Sequence, residues 1–232
     1  MRNPFMRACL FSFLPIFLLG TGCKKHAAEP LVITPTVNPI AHSVLVYLIT
    51  PPDKSFNPEY YKAVKSCALN LQNWYKSQLG NKTFILNPVV VDTLTGLHNS
   101  AWFNTYNGSF SGTDSYAYYN TLNEMQQLAG ANFNTTNYTY FVFVTADFGD
   151  ETKPKGLAAE GLGIITGLAG KNPNSAIGAA GHALGHALGL PEPGGDANTQ
   201  AIMSTGFPKY PDCVFVQAEK DSLNASPFLT TF

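Results

Sequence analysis

From Val44 to Ile49 the chain is unbroken in its apolarity, Val-Leu-Val-Tyr-Leu-Ile, and Pro51-Pro52 stops it. A run that short, closed by prolines, reads as a buried strand. The period then changes. Tyr61, Val64, Ala68, Leu71, Tyr75 and Leu79 recur at helical spacing across Pro58 to Leu79, with Asn57 placed to cap, Pro58 in the first turn and Gly80 at the stop. Thr83 to Leu94 is rich in β-branched residues and contains Val89-Val90-Val91, which predicts a second strand. Residues 99–112, dense in Asn, Gly and Ser, predict a loop. A helix is expected over Asp114 to Leu128, a strand over Tyr138 to Ala146, and a short strand over Leu162 to Ile165 among glycines. Asn174 opens a further helix to about Leu188, with Gly189 at its C-cap and Pro191 beyond. A short helix around Gln217 to Leu223 completes the pattern. The order β-α-β-α-β-β-α predicts an α+β domain with no internal repeat.

The first forty residues fall outside this pattern. Arg2 and Arg7 flank a short n-region, and Ala8 to Leu19 is an apolar run interrupted by Pro15. That run is too short for a spanning helix, which needs ~20 apolar residues, and suits a signal peptide. It closes as Leu19-Gly20-Thr21-Gly22-Cys23, which resembles the bacterial lipobox, where a Cys is acylated and becomes the mature N-terminus. The expected division is a lipoprotein signal peptide over 1–22, an extended Pro-containing tether over 23–42 and a folded domain over 43–232. It implies an exported protein, lipid-anchored at Cys23 in a bacterial cell envelope. Only Cys67 and Cys213 remain in the body. They either pair in that oxidising compartment or stay as buried thiols.

Composition narrows the class further. Of 232 residues, 45% are hydrophobic and 12% charged, with a formal net charge of −1. A near-neutral chain lacks the basic surplus of a nucleic-acid binder, and one so rich in Phe and Tyr has ample surface to bury. The expected partners are a peptide or protein ligand and a lipid anchor, with no nucleic acid, and the chain is expected to be a monomer.

The chemistry concentrates in the last long helix, Gly181-His182-Ala183-Leu184-Gly185-His186-Ala187-Leu188-Gly189-Leu190-Pro191-Glu192. Two His four residues apart project about 40° apart on one helical face, and two imidazoles so placed can hold a single Zn²⁺. Gly189 can adopt a left-handed turn that returns Glu192 toward the same point. Ala201-Ile202-Met203-Ser204 and Tyr210 follow.

This segment resembles the metzincin family of zinc metallopeptidases, whose signature is H-E-x-x-H-x-x-G-x-x-H or -D followed by a methionine-containing turn. His182, His186 and Gly189 match it position by position, and Met203 matches the Met-turn. Leu71-Gln72-Asn73-Trp74-Tyr75 through Thr83-Phe84 is similar to the first helix and second strand of bacterial members. The resemblance implies a zincin fold: a mixed twisted sheet, two long helices including the active-site helix, and a loop-rich C-terminal subdomain with a short helix. It implies zinc on His182, His186 and Glu192, and a substrate-facing role for Tyr210 by analogy with the Tyr after the Met-turn in some members. It also places Leu162–Ile165 where the family presents a peptide-binding edge strand.

Two departures bear on function. The family's catalytic Glu, which follows the first His, is Ala183 here. General acid–base help contributes roughly 10²–10⁴-fold, so its loss is severe. The third ligand is Glu192 in place of His or Asp, and a carboxylate remains a competent zinc ligand. Three readings follow. The first is a membrane-tethered pseudopeptidase that binds peptide without cutting it. The second is an active zinc endopeptidase using another base, Glu160 or Glu192. The third is a metal-free structural lipoprotein. His98, in His98-Asn99-Ser100-Ala101-Trp102, reads as a loop histidine.

Overall fold

The computed structural model describes residues 39–106, 116–131, 137–146, 155–159, 162–166, 173–193 and 198–232. Cys23, Glu160 and the signal and tether segments up to residue 38 lie outside them.

Strand β1 (Ser43–Thr50) is buried along its whole length, which requires cover on both faces. Its alternate residues divide accordingly. Val44, Val46 and Leu48 join a core with helix α1 (Pro58–Gln78) and helix α3 (Pro173–Ala187). Leu45, Tyr47 and Ile49 join a second core with helix α2 (Tyr116–Ala129). Strand β4 (Tyr138–Val144) divides the same way, with Phe141 and Phe143 toward the first core and Tyr140, Val142 and Val144 toward the second. The result is three layers, with the sheet in the middle.

α1 forms where its caps predict. Asn57 Oδ1 accepts from the Glu59 and Tyr60 amides, Pro58 occupies the first turn, and Gly80 leaves the helix at φ +61°. The predicted second strand, in contrast, is two strands: β2 (Lys82–Leu86) and β3 (Asp92–Thr95), both parallel to β1. Val44 pairs with Leu86 and Tyr47 with Asp92, so residues 87–91 leave the ladder opposite only two residues of β1. Pro88 has no N–H to donate to a ladder, and Val89 is 51% exposed. The loop expected over 99–112 contains a short 3₁₀ helix at Ser100–Asn104, capped by Asn99.

The sheet runs β5-β6-β4-β1-β2-β7, with β3 also on β1. β6 (Leu162–Thr166) is parallel to β4, and β5 (Lys155–Ala159) is antiparallel to β6. This corrects the expected edge: Leu162–Ile165 lies inside the sheet, and among the described strands the edge is β5. Lys-Gly-Leu-Ala-Ala has too little alternation for its strand to be read from pattern. After the short helix α4 (Gln217–Ala225), strand β7 (Leu229–Thr231) pairs antiparallel with β2. β7 also escapes the sequence pattern, being only three residues long. Cys67 and Cys213 are both free and buried.

Candidate metal centre

α3 is rich in small residues because other chain segments press on it. A Cβ at Gly178 would collide with the Phe207 carbonyl, and one at Gly185 with the Met203 sulfur. A Cβ at Gly181 would come within 2.8 Å of Ile202 Cδ1 and Leu71 Cδ2. The glycines are therefore a seam against α1 and the turn that carries Met203. Tyr75 of α1 fastens that seam by donating its hydroxyl hydrogen to the Gly181 carbonyl at 3.0 Å.

The helix ends in a Schellman motif. The Leu190 amide reaches back to the Gly185 carbonyl at 3.0 Å and the Gly189 amide to His186 at 2.9 Å. Gly189 stands at φ +97°, a region closed to ordinary side chains. This reversal puts the Leu190 carbonyl 2.8 Å from His186 Nδ1 and brings Glu192 Oε1 to 3.2 Å from His186 Nε2. The turn at 201–204 does the same for the other ring, with the Ile202 carbonyl 2.8 Å from His182 Nδ1. Both carbonyls escaped the sequence reading, since a backbone acceptor leaves no residue-type signature.

These contacts decide the tautomers. A carbonyl oxygen only accepts, so each Nδ1 carries a proton, and each neutral ring turns the lone pair of Nε2 toward the other. The two Nε2 atoms are 3.1 Å apart. Two lone pairs at that distance repel unless a cation or a shared proton lies between them. Burial pushes the His182 pKa down, as does neighbouring His186, while the Ile202 carbonyl and Glu192 oppose the shift. Burial thus favours the neutral, metal-binding form.

One ligand atom from each of His182, His186 and Glu192 falls within 4.8 Å of the others. Nitrogens bound ~2.0–2.1 Å from one tetrahedral zinc lie roughly 3.3 Å apart, close to the separation here. The donor set N, N, O fits a divalent metal with an open position. His186 is buried and the Glu192 side chain is 81% exposed, so the cluster opens to solvent on the glutamate side.

The remaining predicted residues fall as follows. Ala183 is buried, 1% exposed, with its carbonyl toward β6 at Gly163. It brings no titratable group, and Glu192 is the carboxylate that acts on His182. Met203 is buried beneath the helix against Gly185, a packing role. Tyr210 is buried on the turn after Met203. Its ring lies 6.0 Å from Trp74, it is 9% exposed, and its pKa is pushed up to about 12, by burial first and then by the Cys67 and Cys213 thiols. Tyr210 therefore packs as part of the core beside Trp74. His98 is a loop residue, but held by a buried carboxylate on α2.

No protein-family model matches the chain, and no curated protein does. Among solved structures it is similar to catalytically inactive OgpA from Akkermansia muciniphila, crystallised with an O-glycopeptide substrate, glycodrosocin. That match has a TM-score of 0.58 at 15% identity and covers 86% of this chain and 65% of that one. Archaemetzincin from Methanopyrus kandleri superposes with a TM-score of 0.44 at 11% identity, covering 82% of this chain and 98% of that one. The likeness to OgpA is one of fold: this chain is a mixed α+β protein of metzincin-like architecture.

Proposed function

We propose that this protein is a membrane-tethered, zinc-binding metzincin-like pseudopeptidase that holds an extended peptide without efficiently cleaving it. The observation that carries the reading is the convergence of His182 Nε2, His186 Nε2 and a Glu192 oxygen beside an alanine at position 183. Zinc on these three residues would supply Lewis-acid polarisation of a peptide carbonyl. His182 and His186 are oriented for it by the Ile202 and Leu190 carbonyls, the second layer of contacts that sets ring direction. Ala183 can neither take nor return a proton. Peptide binding is supported by β5, which pairs only with β6 among the described strands and leaves its outer backbone groups for an added strand. An O-glycopeptide is the ligand in the OgpA crystal, which makes peptides with and without glycans the first class to test. Export and acylation at Cys23 belong to the same reading.

A second reading, residual peptidase activity, is favoured by one contact: Glu192 lies 3.2 Å from His186 with most of its side chain in solvent, where a base would also stand. Elemental analysis and a casein assay separate the readings. The pseudopeptidase binds about one zinc per chain, loses it in His186→Ala, and gains hydrolysis only in Ala183→Glu. Equal zinc in wild type and His186→Ala removes the site assignment. Chelator-sensitive hydrolysis by wild type that Ala183→Glu does not raise favours the active enzyme, and a zinc-free, inert wild type leaves the metal-free scaffold.

A further inference from the structure

A second group of polar side chains lies at the other end of the sheet. Ala187, at the end of α3, accepts from the Thr139 hydroxyl at the start of β4, 3.4 Å away. The segment after β3 begins instead where the parallel strands finish, with the Gly96 amide 2.8 Å from the Thr50 carbonyl. The seven residues of β4, at ~3.3 Å each, put roughly 20 Å between these ends.

Here α2 buries three polar residues, Asn120, Thr121 and Glu124, at 1%, 0% and 0% exposure, and Asn120 and Glu124 reach the loop after β3. Glu124 Oε1 accepts from the amides of Leu97 and His98, and Oε2 lies 2.7 Å from His98 Nδ1. Asn120 Nδ2 donates to the carbonyls of Trp102 at 2.8 Å and Thr105 at 2.9 Å. The loop is therefore held to α2 at both ends. A carboxylate oxygen accepts, so His98 Nδ1 carries a proton and Nε2 is the nitrogen outside that contact, on a side chain 35% exposed. The imidazole lies flat on the Trp102 indole, centroids 3.8 Å apart and planes at 11°. Asn99 Oδ1 is engaged by the Trp102 amide at 3.0 Å, and its amide nitrogen has no partner among the described residues.

These groups bound a cavity of about 500 Å³ lined by Leu97, His98, Asn99, Ala101, Trp102 and Thr105. Holding the loop needs only Glu124 and Asn120. It does not require an aromatic stack with an oriented nitrogen beside a solvent-open depression. Among the described residues the wall holds no Lys or Arg, and two carboxylates lie close behind it, Glu124 on His98 and Asp53 on Ser100. That charge disfavours an anionic ligand. The two rings cover each other's facing sides, so the depression meets their edges; an imidazole nitrogen at such an edge, with a primary amide beside it, suits the hydroxyls of a neutral sugar. We propose that this depression binds a neutral carbohydrate, seated against the edge of the His98–Trp102 stack and hydrogen-bonded to His98 Nε2 and the Asn99 amide. The inference does not depend on the metal cluster.

Saturation-transfer NMR on the full chain tests it, with N-acetylgalactosamine, galactose and glucose as probes and glucose 6-phosphate as the anionic comparison. At least one neutral sugar is expected to receive saturation with a Kd in the millimolar range, and the phosphorylated sugar to bind about tenfold more weakly. Ala101→Arg, at an exposed position, fills the opening and abolishes transfer while leaving the Glu124–His98 contact in place. His98→Ala weakens binding by about tenfold, the loss of one hydrogen bond to a ring held in place. His186→Ala binds sugar as wild type does, whatever its effect on zinc. No transfer to any neutral sugar, transfer that survives Ala101→Arg, or equal binding of glucose 6-phosphate overturns the proposal.

Discussion

At position 183 the side chain ends at Cβ, one residue beyond His182 and 1% exposed. Restoring a carboxylate there supplies the one group the cluster lacks, so Ala183→Glu is expected to raise casein hydrolysis by roughly 10²–10⁴-fold, the usual value of acid–base help. No gain with zinc still bound would mean the alanine is not what limits turnover. Gly189 governs the third ligand. At φ +97° a Cβ is strained even though open space surrounds it, so Gly189→Ala is expected to cost about 1–3 kcal/mol. It should also weaken zinc retention, because the turn delivers both Glu192 and the Leu190 carbonyl. Chelator competition checks this; unchanged zinc affinity would show that Glu192 is dispensable to the site. Ala183 and Gly189 were both legible from the chain alone, since one is a substitution in a fixed spacing and the other a backbone requirement with a single common solution.

At the scale of elements, α3 and the Met203 turn meet through missing side chains. Gly185→Ala pushes a methyl into the Met203 thioether. Met can shift, so the expected loss is about 1–3 kcal/mol of overpacking, read as a lowered unfolding midpoint. Gly178→Ala meets the Phe207 carbonyl, which cannot swing aside, and should cost more. If Gly178→Ala proves the milder of the two, the seam is looser than drawn. The capped 3₁₀ turn gives a pH prediction. The Ser100 hydroxyl above all holds the Asp53 carboxyl below its usual 3.8; desolvation opposes it, and the weaker pull of the Ser100 amide adds to the hydroxyl's. The folded group thus binds its proton less readily than the unfolded one. The stability it adds is present above about pH 3.8 and is lost as pH falls through the lower folded value. Ser100→Ala should return Asp53 toward 3.8 in a carboxyl-carbon NMR titration, and an unchanged midpoint would reject the assignment. The helices were read correctly because 3.6-residue periodicity and caps are local. The Val89–Val91 run misled because strand propensity is context-dependent: after Pro88 those valines leave β1's ladder, Val91 turning into the core and Val89 to solvent.

For the whole molecule, strand order sets which backbone can meet a ligand. β6 is paired on both sides, by β4 and by β5, so its amides are spent within the sheet. A bound peptide is therefore expected to slow amide exchange in Lys155–Ala159 and to leave Leu162–Thr166 unchanged. Protection confined to β6 would contradict the edge assignment. Two distant stations, the His cluster beside the start of β4 and the His98 cavity beyond the end of β3, are then carried by one sheet.

The chain by itself determined what depends on residue type and local spacing: the α+β pattern, the capped helices, His182 and His186 on one helical face, the Gly189 turn and the missing carboxylate. Tertiary structure decided what depends on which segments become neighbours. It moved the sheet edge from Leu162–Ile165 to β5, sent Tyr210 into the core against Trp74, and placed Glu124 of α2 behind His98. It also aimed the Ile202 and Leu190 carbonyls at the two Nδ1 atoms, turning a pair of histidines into a pair of converging lone pairs. The physical reason is range. Helix periodicity and turn chemistry act over a few residues, whereas strand order and backbone acceptors are set by contacts between segments tens of residues apart, through groups that every residue shares.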